Sequence, residues 1–177
     1  EVIIGCRDPF PLVNGKGIEK LMASGVSVRS GILEEEARKL NKRFFTFHQH
    51  RRPFILLKWA QSADGKIAGA GKKRIPISNS FTNRLVQRWR SEESAIMVGT
   101  ETVLNDNPFL TSRIPGGKNP VRLVIDRMLR IPEGLHIYNE DAKTIIFNVL
   151  KEEKKGNIHF CKLRDEENLL PEILQKL

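Results

Sequence analysis

Lys58-Trp59-Ala60-Gln61-Ser62-Ala63-Asp64-Gly65-Lys66-Ile67-Ala68, Val86-Gln87-Arg88-Trp89-Arg90 and Thr102-Val103-Leu104-Asn105-Asp106-Asn107-Pro108-Phe109-Leu110-Thr111-Ser112-Arg113 share one arrangement. Each follows an apolar run and ends in polar or cationic residues, as a strand or helix does when it presents functional groups at its end. The run before the first block, Phe54-Ile55-Leu56-Leu57, is apolar on both faces and predicts a central strand of a parallel sheet. In an open α/β sheet the ligand crevice lies beyond the strand C-termini. Lys58 and the turn at Asp64-Gly65 fall in that position.

Working outward, Ser78, Asn79 or Ser80 caps a helix that sets Phe81, Leu85 and Trp89 on one face. Ala95-Ile96-Met97-Val98-Gly99 reads as a buried strand, Thr100 to Asn107 begins at its end, and Pro108 stiffens the chain beyond it. Further strands are predicted over 121–126, 143–149 and 158–163, with a charged connector over 150–157. A last helix has Pro171 in its first turn. Upstream, a strand over 2–6, a helix over 18–24, a strand over 26–28 and a helix over 33–47 alternate, which implies a parallel pair with a right-handed crossover. The polar stretch 48–52 is the natural boundary. The expected organisation is the C-terminal part of an α/β domain over 1–50, a linker over 51–53, and a second α/β domain over 54–177. With no initiator Met and a final helix that a doubly wound sheet would send into another strand, the chain reads as a piece of a longer polypeptide.

A chain of 177 residues that is 40% hydrophobic has enough apolar mass for a core. No apolar run approaches the roughly 20 residues of a membrane span, and the N-terminus lacks the basic region of a signal peptide. The formal charge of +9 favours anionic partners. Aromatic residues make up only 7%, with no aromatic-basic alternation for stacking bases, so small phosphorylated ligands rank above nucleic acid. Cys6 and Cys161 both sit in strand-like runs and give no disulfide framework, which fits a reducing cytoplasm. Neither belongs to a Cys-x-x-Cys pair, and His48 and His50 read as polar linker surface, so no four-ligand zinc site is expected.

Position alone leaves each candidate residue with two readings. Lys58 either grips, orients or protonates a ligand, or it is a strand residue snorkelling to water. Asp64 before Gly65 is an ordinary turn aspartate or a site group. Arg90 closes a helix and Arg113 closes the Thr102-to-Arg113 block, where two guanidinium groups clamp a phosphate or lie on a solvated surface. Thr102 and Asp106, four apart, offer hydrogen bonds to a ligand or cap a local turn. No Gly-x-Gly-x-x-Gly, P-loop or nucleophile elbow is present.

Lys58-x-Ala60-x-Ser62-x-Asp64-Gly65-x-x-Ala68, Val86-Gln87-x-x-Arg90 and Thr102-Val103-Leu104-x-Asp106-x-Pro108-x-Leu110-Thr111-x-Arg113, with Asn119-Pro120-Val121-Arg122-Leu123-Val124-Ile125-Asp126 after them, resemble the reductase domain of the bifunctional riboflavin-biosynthesis deaminase/reductase. Residues 1–50 resemble the end of that family's deaminase domain. The resemblance implies a dihydrofolate reductase-like α/β fold over 54–177, preceded by the end of a cytidine deaminase-like α/β domain. It implies NADPH-dependent reduction of the ribosyl group of 5-amino-6-(5-phosphoribosylamino)uracil to a ribityl chain. It places the cofactor on Ala60, Thr102 and Asp106 and the substrate on Arg90, Leu110 and Arg113. Lys58 matches a family lysine near the reacting sugar, with a role in substrate orientation or proton supply.

Two positions depart from the family pattern. Pro76 stands where relatives carry a tryptophan flanking the cofactor, and Arg74 where they carry a serine near the substrate. The family's Glu-Gly-Gly segment is expected beyond Leu177, and its zinc-binding deaminase motifs lie outside these residues, so zinc is expected only in the rest of the deaminase domain. The family resemblance adds a homodimer or higher homo-oligomer and a small phosphorylated pyrimidine as substrate; from composition, no nucleic acid or membrane partner is expected. Two other readings stay open: a related NADPH reductase of the same fold with another pyrimidine or pterin substrate, and a basic nucleic-acid-binding module.

Overall fold

The computed structural model describes residues 1–69, 75–164 and 168–177. The chain separates into two compact units, one of Glu1–Leu57 with Leu174–Leu177 and one of Lys58–Ile173. Arg74 falls outside the described residues.

In the first unit β1 (Val2–Ile4), α1 (Lys16–Ala23), β2 (Val28–Ser30), α2 (Glu34–Leu40) and α3 (Lys42–His50) succeed one another. β1 and β2 pair in parallel, Val2 opposite Val28, as the strand-helix-strand order requires. The single helix predicted over 33–47 is two. Asn41 divides it: its side-chain amide donates to the Ala37 carbonyl at 3.1 Å, and a residue that bonds its own backbone in this way is a weak helix former. Glu34, Glu35 and Glu36 occupy the first turn of α2, where the helix dipole favours negative charge.

The apolar run at Phe54-Ile55-Leu56-Leu57 is not a strand. Leu57 is 76% exposed, and Phe54 instead lies beneath the Lys42 ammonium, 4.7 Å from its ring centre, and the Arg43 guanidinium, 5.5 Å away. Cation–π contacts of this kind hold Phe54 with α3 rather than in a ladder.

The second unit holds α4 (Ser80–Glu92), β3 (Ala95–Gly99), α5 (Thr100–Asp106), β4 (Val121–Ile125), β5 (Thr144–Asn148), β6 (Glu153–Lys155), β7 (Ile158–Lys162) and the start of α6 (Leu169–Lys176). Asn79 caps α4, its side-chain oxygen accepting from the Thr82 amide at 2.9 Å. The five strands form one sheet in the order β3-β4-β5-β7-β6; the first four are parallel, and β6 runs antiparallel to β7. β6 lies inside the stretch that reads as a charged connector. Its Glu153, Lys154 and Lys155 are all exposed, so no apolar alternation announces it, and its charges suit an edge.

Successive strand residues point to opposite faces, so the sheet builds two cores. Val124, Ile146 and Phe160 pack on one face with Val103, Leu110, Ile131 and Ile137. Leu123, Phe147, Cys161 and Leu163 pack on the other with Ile173 of α6. Arg122 is fully buried, and its guanidinium donates to the Ile137 and Asn139 carbonyls at 3.3 and 3.2 Å and to the Asn139 side chain at 2.7 Å. These bonds fix the 137–142 connection against β4. No helix among the described residues is long and apolar enough to cross a membrane.

Candidate functional site

Because β3, β4, β5 and β7 are parallel, their C-terminal ends open on one side of the sheet. At the ends of β3 and β4 a cleft of about 350 Å³ is lined by Thr100, Ile125, Arg127, Met128 and Arg130. Asp126 braces its floor. Its fully buried carboxylate accepts from the Arg130 amide at 3.1 Å and the Ile131 amide at 2.9 Å, and Thr100 Oγ1 lies 3.1 Å from it. A carboxylate in this position sets the backbone of the 126–131 turn and so places the Arg127 and Arg130 side chains. Two guanidinium groups around an open cleft suit a ligand that carries phosphate.

α5 leads away from this cleft. Thr102 and Asp106 stand exposed four residues apart on it, while Val103 is fully buried and anchors the helix to the sheet. The 100–107 segment, which begins at the end of β3 as expected, is helical through Asp106 and closes with Asn107 at φ 39°. His136 fixes this terminus. Its amide donates to the Asn107 side-chain oxygen at 2.8 Å, and its Nδ1 lies 2.7 Å from the Asn107 carbonyl. A carbonyl only accepts, so Nδ1 carries the proton. The His136 ring stacks on Phe109, with centroids 3.6 Å apart and planes 18° apart.

Leu110 comes next at φ 57° with its side chain in the core, 3% exposed. What it offers a ligand is therefore backbone. Residues 111–113 run beside α4. Gln87 accepts from the Arg113 amide at 3.0 Å, and Arg90 Nη1 donates to the Thr111 carbonyl at 3.3 Å. Arg90 is half-buried, and its Nε is buried without a hydrogen-bond partner. Burial first, and then the positive charge of Arg113, push the Arg90 pKa below the usual arginine value. The structure thus brings together two arginines that lie 23 positions apart in the chain, counting from 90 to 113.

Lys58 is exposed and lies outside regular secondary structure; Ala60, two residues on, is half-buried. A tight turn comes after it. The Ser62 amide donates to the Lys66 carbonyl at 2.8 Å, the Gly65 amide to the Ser62 carbonyl at 2.9 Å, and the Ser62 hydroxyl bonds the Asp64 carboxylate. Bonding from Ser62 and then Lys66 holds the Asp64 carboxyl below its usual pKa. These contacts make Asp64 a turn residue. Pro76, at the departure from the family pattern, is exposed.

Sequence reasoning gives no role to Gln87, His136, Arg127 or Arg130. Gln87 is visible inside the Val86-to-Arg90 block. The other three reach the site through loops far away in sequence and leave no local pattern.

The RibD C-terminal domain family model matches residues 53–177. The riboflavin biosynthesis protein RibD of Actinobacillus pleuropneumoniae is 42% identical over 188 aligned positions, covering 100% of this chain and 50% of its own length. That of Aquifex aeolicus is 41% identical over 155 positions, covering 86% of this chain and 44% of its own length. The chain therefore spans about half the length of the curated relatives it matches. Among solved structures, the diaminohydroxyphosphoribosylaminopyrimidine deaminase/5-amino-6-(5-phosphoribosylamino)uracil reductase of Thermotoga maritima superposes with a TM-score of 0.88 at 37% identity, over 100% of this chain and 50% of that one.

Proposed function

The chain belongs to the RibD C-terminal domain family, and from that membership we propose that the protein carrying it reduces the ribosyl side chain of 5-amino-6-(5-phosphoribosylamino)uracil to a ribityl chain with NADPH. The dihydrofolate reductase-like fold over its second unit, shared with RibD structures, supports the reading. The single observation that carries it is the Arg90–Arg113 pair, with a buried Arg90 Nε that has no partner. Like charges are not drawn together without reason, and a phosphate offers acceptors to both guanidinium groups at once.

In this reading a bound NADPH would supply the hydride that reduces C1 of the ring-opened ribosylimine, with a proton added at the nitrogen to give the ribitylamine. The chain supplies alignment. Arg90 and Arg113 hold the substrate phosphate and set the distance of C1 from it. The Leu110 backbone flanks the substrate. Ala60, Thr102 and Asp106 hold the cofactor, and Arg127 and Arg130 give its extra phosphate a basic cleft. Lys58 orients the sugar or delivers the proton. Residues 1–50 are the end of a deaminase domain; the zinc of that activity belongs to other residues.

The test is NADPH oxidation by the protein that carries this chain, with and without the phosphoribosylaminouracil. Substrate-dependent oxidation, lost in Arg90→Ala with NADPH binding retained, supports the proposal. Nucleic-acid binding that falls steeply with salt, in the absence of any NADPH binding, overturns it.

A further inference from the structure

On the far edge of the sheet, away from the β3 and β4 ends, β6 and β7 gather three side chains of different chemistry. His159 and Cys161 are two apart on β7 and therefore share a face. Glu152, just before β6, reaches the same point. Its Oε1 lies 2.6 Å from His159 Nε2, and its Oε2 accepts from the Lys162 amide at 2.7 Å. One ligand atom from each of Glu152, His159 and Cys161 lies within 4.8 Å of the others. We propose that Glu152, His159 and Cys161 form a binding site for a divalent transition-metal ion of the zinc type.

The donor set selects the ion. A thiolate and an imidazole favour zinc or cobalt over magnesium or calcium, which take oxygen. The spacing is near what such an ion needs. Bonds of about 2.0 Å to nitrogen and oxygen and about 2.3 Å to sulfur, at tetrahedral angles, separate ligand atoms by roughly 3.3–3.7 Å. The sulfur has to close by about an ångström or less, and the histidine and carboxylate have to part slightly.

Support for the donors is already in place. Strand pairing fixes Cys161 and His159, and the Lys162 amide holds the Glu152 carboxylate so that its other oxygen faces the imidazole. Burial runs from Cys161 (6% exposed) through half-buried His159 to exposed Glu152, which leaves the outer side open for a water as fourth ligand. Binding exchanges the thiol proton, and any proton between imidazole and carboxylate, for the ion. Lys154, opposite His159 in the ladder, adds a like charge beside the ion and limits its affinity.

The test is titration of the purified chain, reduced and metal-free, with Co²⁺. Expected is one equivalent giving visible d–d bands together with the near-ultraviolet sulfur-to-cobalt band, both displaced by Zn²⁺. His159→Gln and Glu152→Gln, at positions that are not fully buried, should each weaken binding at least about ten-fold, the loss typical of disturbing even a residue that only supports a ligand. Cys161→Ser should abolish the sulfur band, and Cys6→Ser should leave it. Melting curves identify variants that fail to fold, and only folded ones are compared. Absence of the sulfur band at several-fold molar excess of Co²⁺, a band that survives Cys161→Ser, or an unchanged Co²⁺ affinity in His159→Gln overturns the proposal.

Discussion

The Gln87 side-chain oxygen accepts a hydrogen bond from the Arg113 backbone amide at 3.0 Å. This contact ties the end of the 102–113 block to α4, and Arg90, one turn further along α4, bonds the Thr111 carbonyl. The helix thus sets both arginines. Arg113→Ala is expected to raise the KM for the phosphoribosyl substrate roughly ten- to hundred-fold, since a charge-assisted hydrogen bond is worth about 1.5–3 kcal/mol. NADPH affinity should hardly change. Arg113→Lys should recover part of the loss, because an ammonium lacks the fork. Gln87→Ala removes only the brace and should raise KM by about three- to ten-fold, the equivalent of one neutral hydrogen bond. Steady-state kinetics in both ligands, with melting curves, separate these outcomes from simple destabilisation. Normal KM in Arg113→Ala removes the residue from the site.

His136 acts at the other end of the same block. Its Nδ1 bond to the Asn107 carbonyl and its stack on Phe109 hold the residues just after Asp106. His136→Ala keeps the backbone amide but loses both of these. The expected destabilisation is about 1–3 kcal/mol, one hydrogen bond plus an aromatic pair. His136→Phe keeps the stack and should fall between the wild type and His136→Ala. If the loop also positions Asp106, NADPH dissociation constants should rise in the same order, at temperatures where all three proteins are folded. Equal melting temperatures for the three would show that the loop is held without His136.

How far the sequence speaks for the fold depends on what each element buries. β4, β5 and β7 bury residues on both sides and appear as apolar runs that end within one residue or so of the observed strands. Asn79 announces α4 because a cap is a local signal. β6 is fully exposed and silent. α5 carries a weak helical signal because Thr and Asn are poor helix formers and Val103 alone anchors it. Phe54 to Leu57 misleads in the opposite way: an apolar run makes a strand only where a ladder receives it, and here the Phe54 ring is held by Lys42 and Arg43. At the site, spacing and resemblance choose Arg90 and Arg113, which the fold brings together. They do not show that Leu110 turns its side chain into the core, nor that Asn107 meets a histidine 29 residues away.

The cleft beside Thr100 bears on cofactor choice. NADPH differs from NADH by one phosphate, and Arg127 and Arg130 are the cations lining that cleft. Arg130 also meets Glu101 at 3.0 Å, but both groups are more than half exposed, and an ion pair in water contributes little. NADPH is expected to bind more tightly than NADH to the protein that carries this chain. The double change Arg127→Ala, Arg130→Ala should weaken NADPH roughly ten- to hundred-fold while NADH is affected far less, so the preference collapses. Equal affinity for both nucleotides in the unaltered protein, measured by fluorescence titration, would remove the phosphate-binding role from these arginines.

Tyr138 is the only tyrosine in the chain, so its ionisation is visible in isolation. Its hydroxyl donates to the Ile131 carbonyl at 3.2 Å. Burial first, and then the charges of Asp126 and Glu133, push its pKa up to about 12. The native phenol therefore keeps its proton to higher pH than a phenol in the unfolded chain, which titrates near about 10. Between these values the folded state binds more protons than the unfolded one. Stability falls as pH rises through that window, and the contribution is fully present below about 10. Tyrosinate absorption should accordingly rise with a midpoint well above 10 in the folded protein and shift down to about 10 in denaturant. Tyr138→Phe cannot ionise, so its melting temperature should decline less steeply over this pH range than that of the wild type, although it starts lower for want of the bond to Ile131. A folded protein whose tyrosine titrates near 10, or a Tyr138→Phe variant with an unchanged slope, would show that the phenol stands in water rather than against the 131–138 loop.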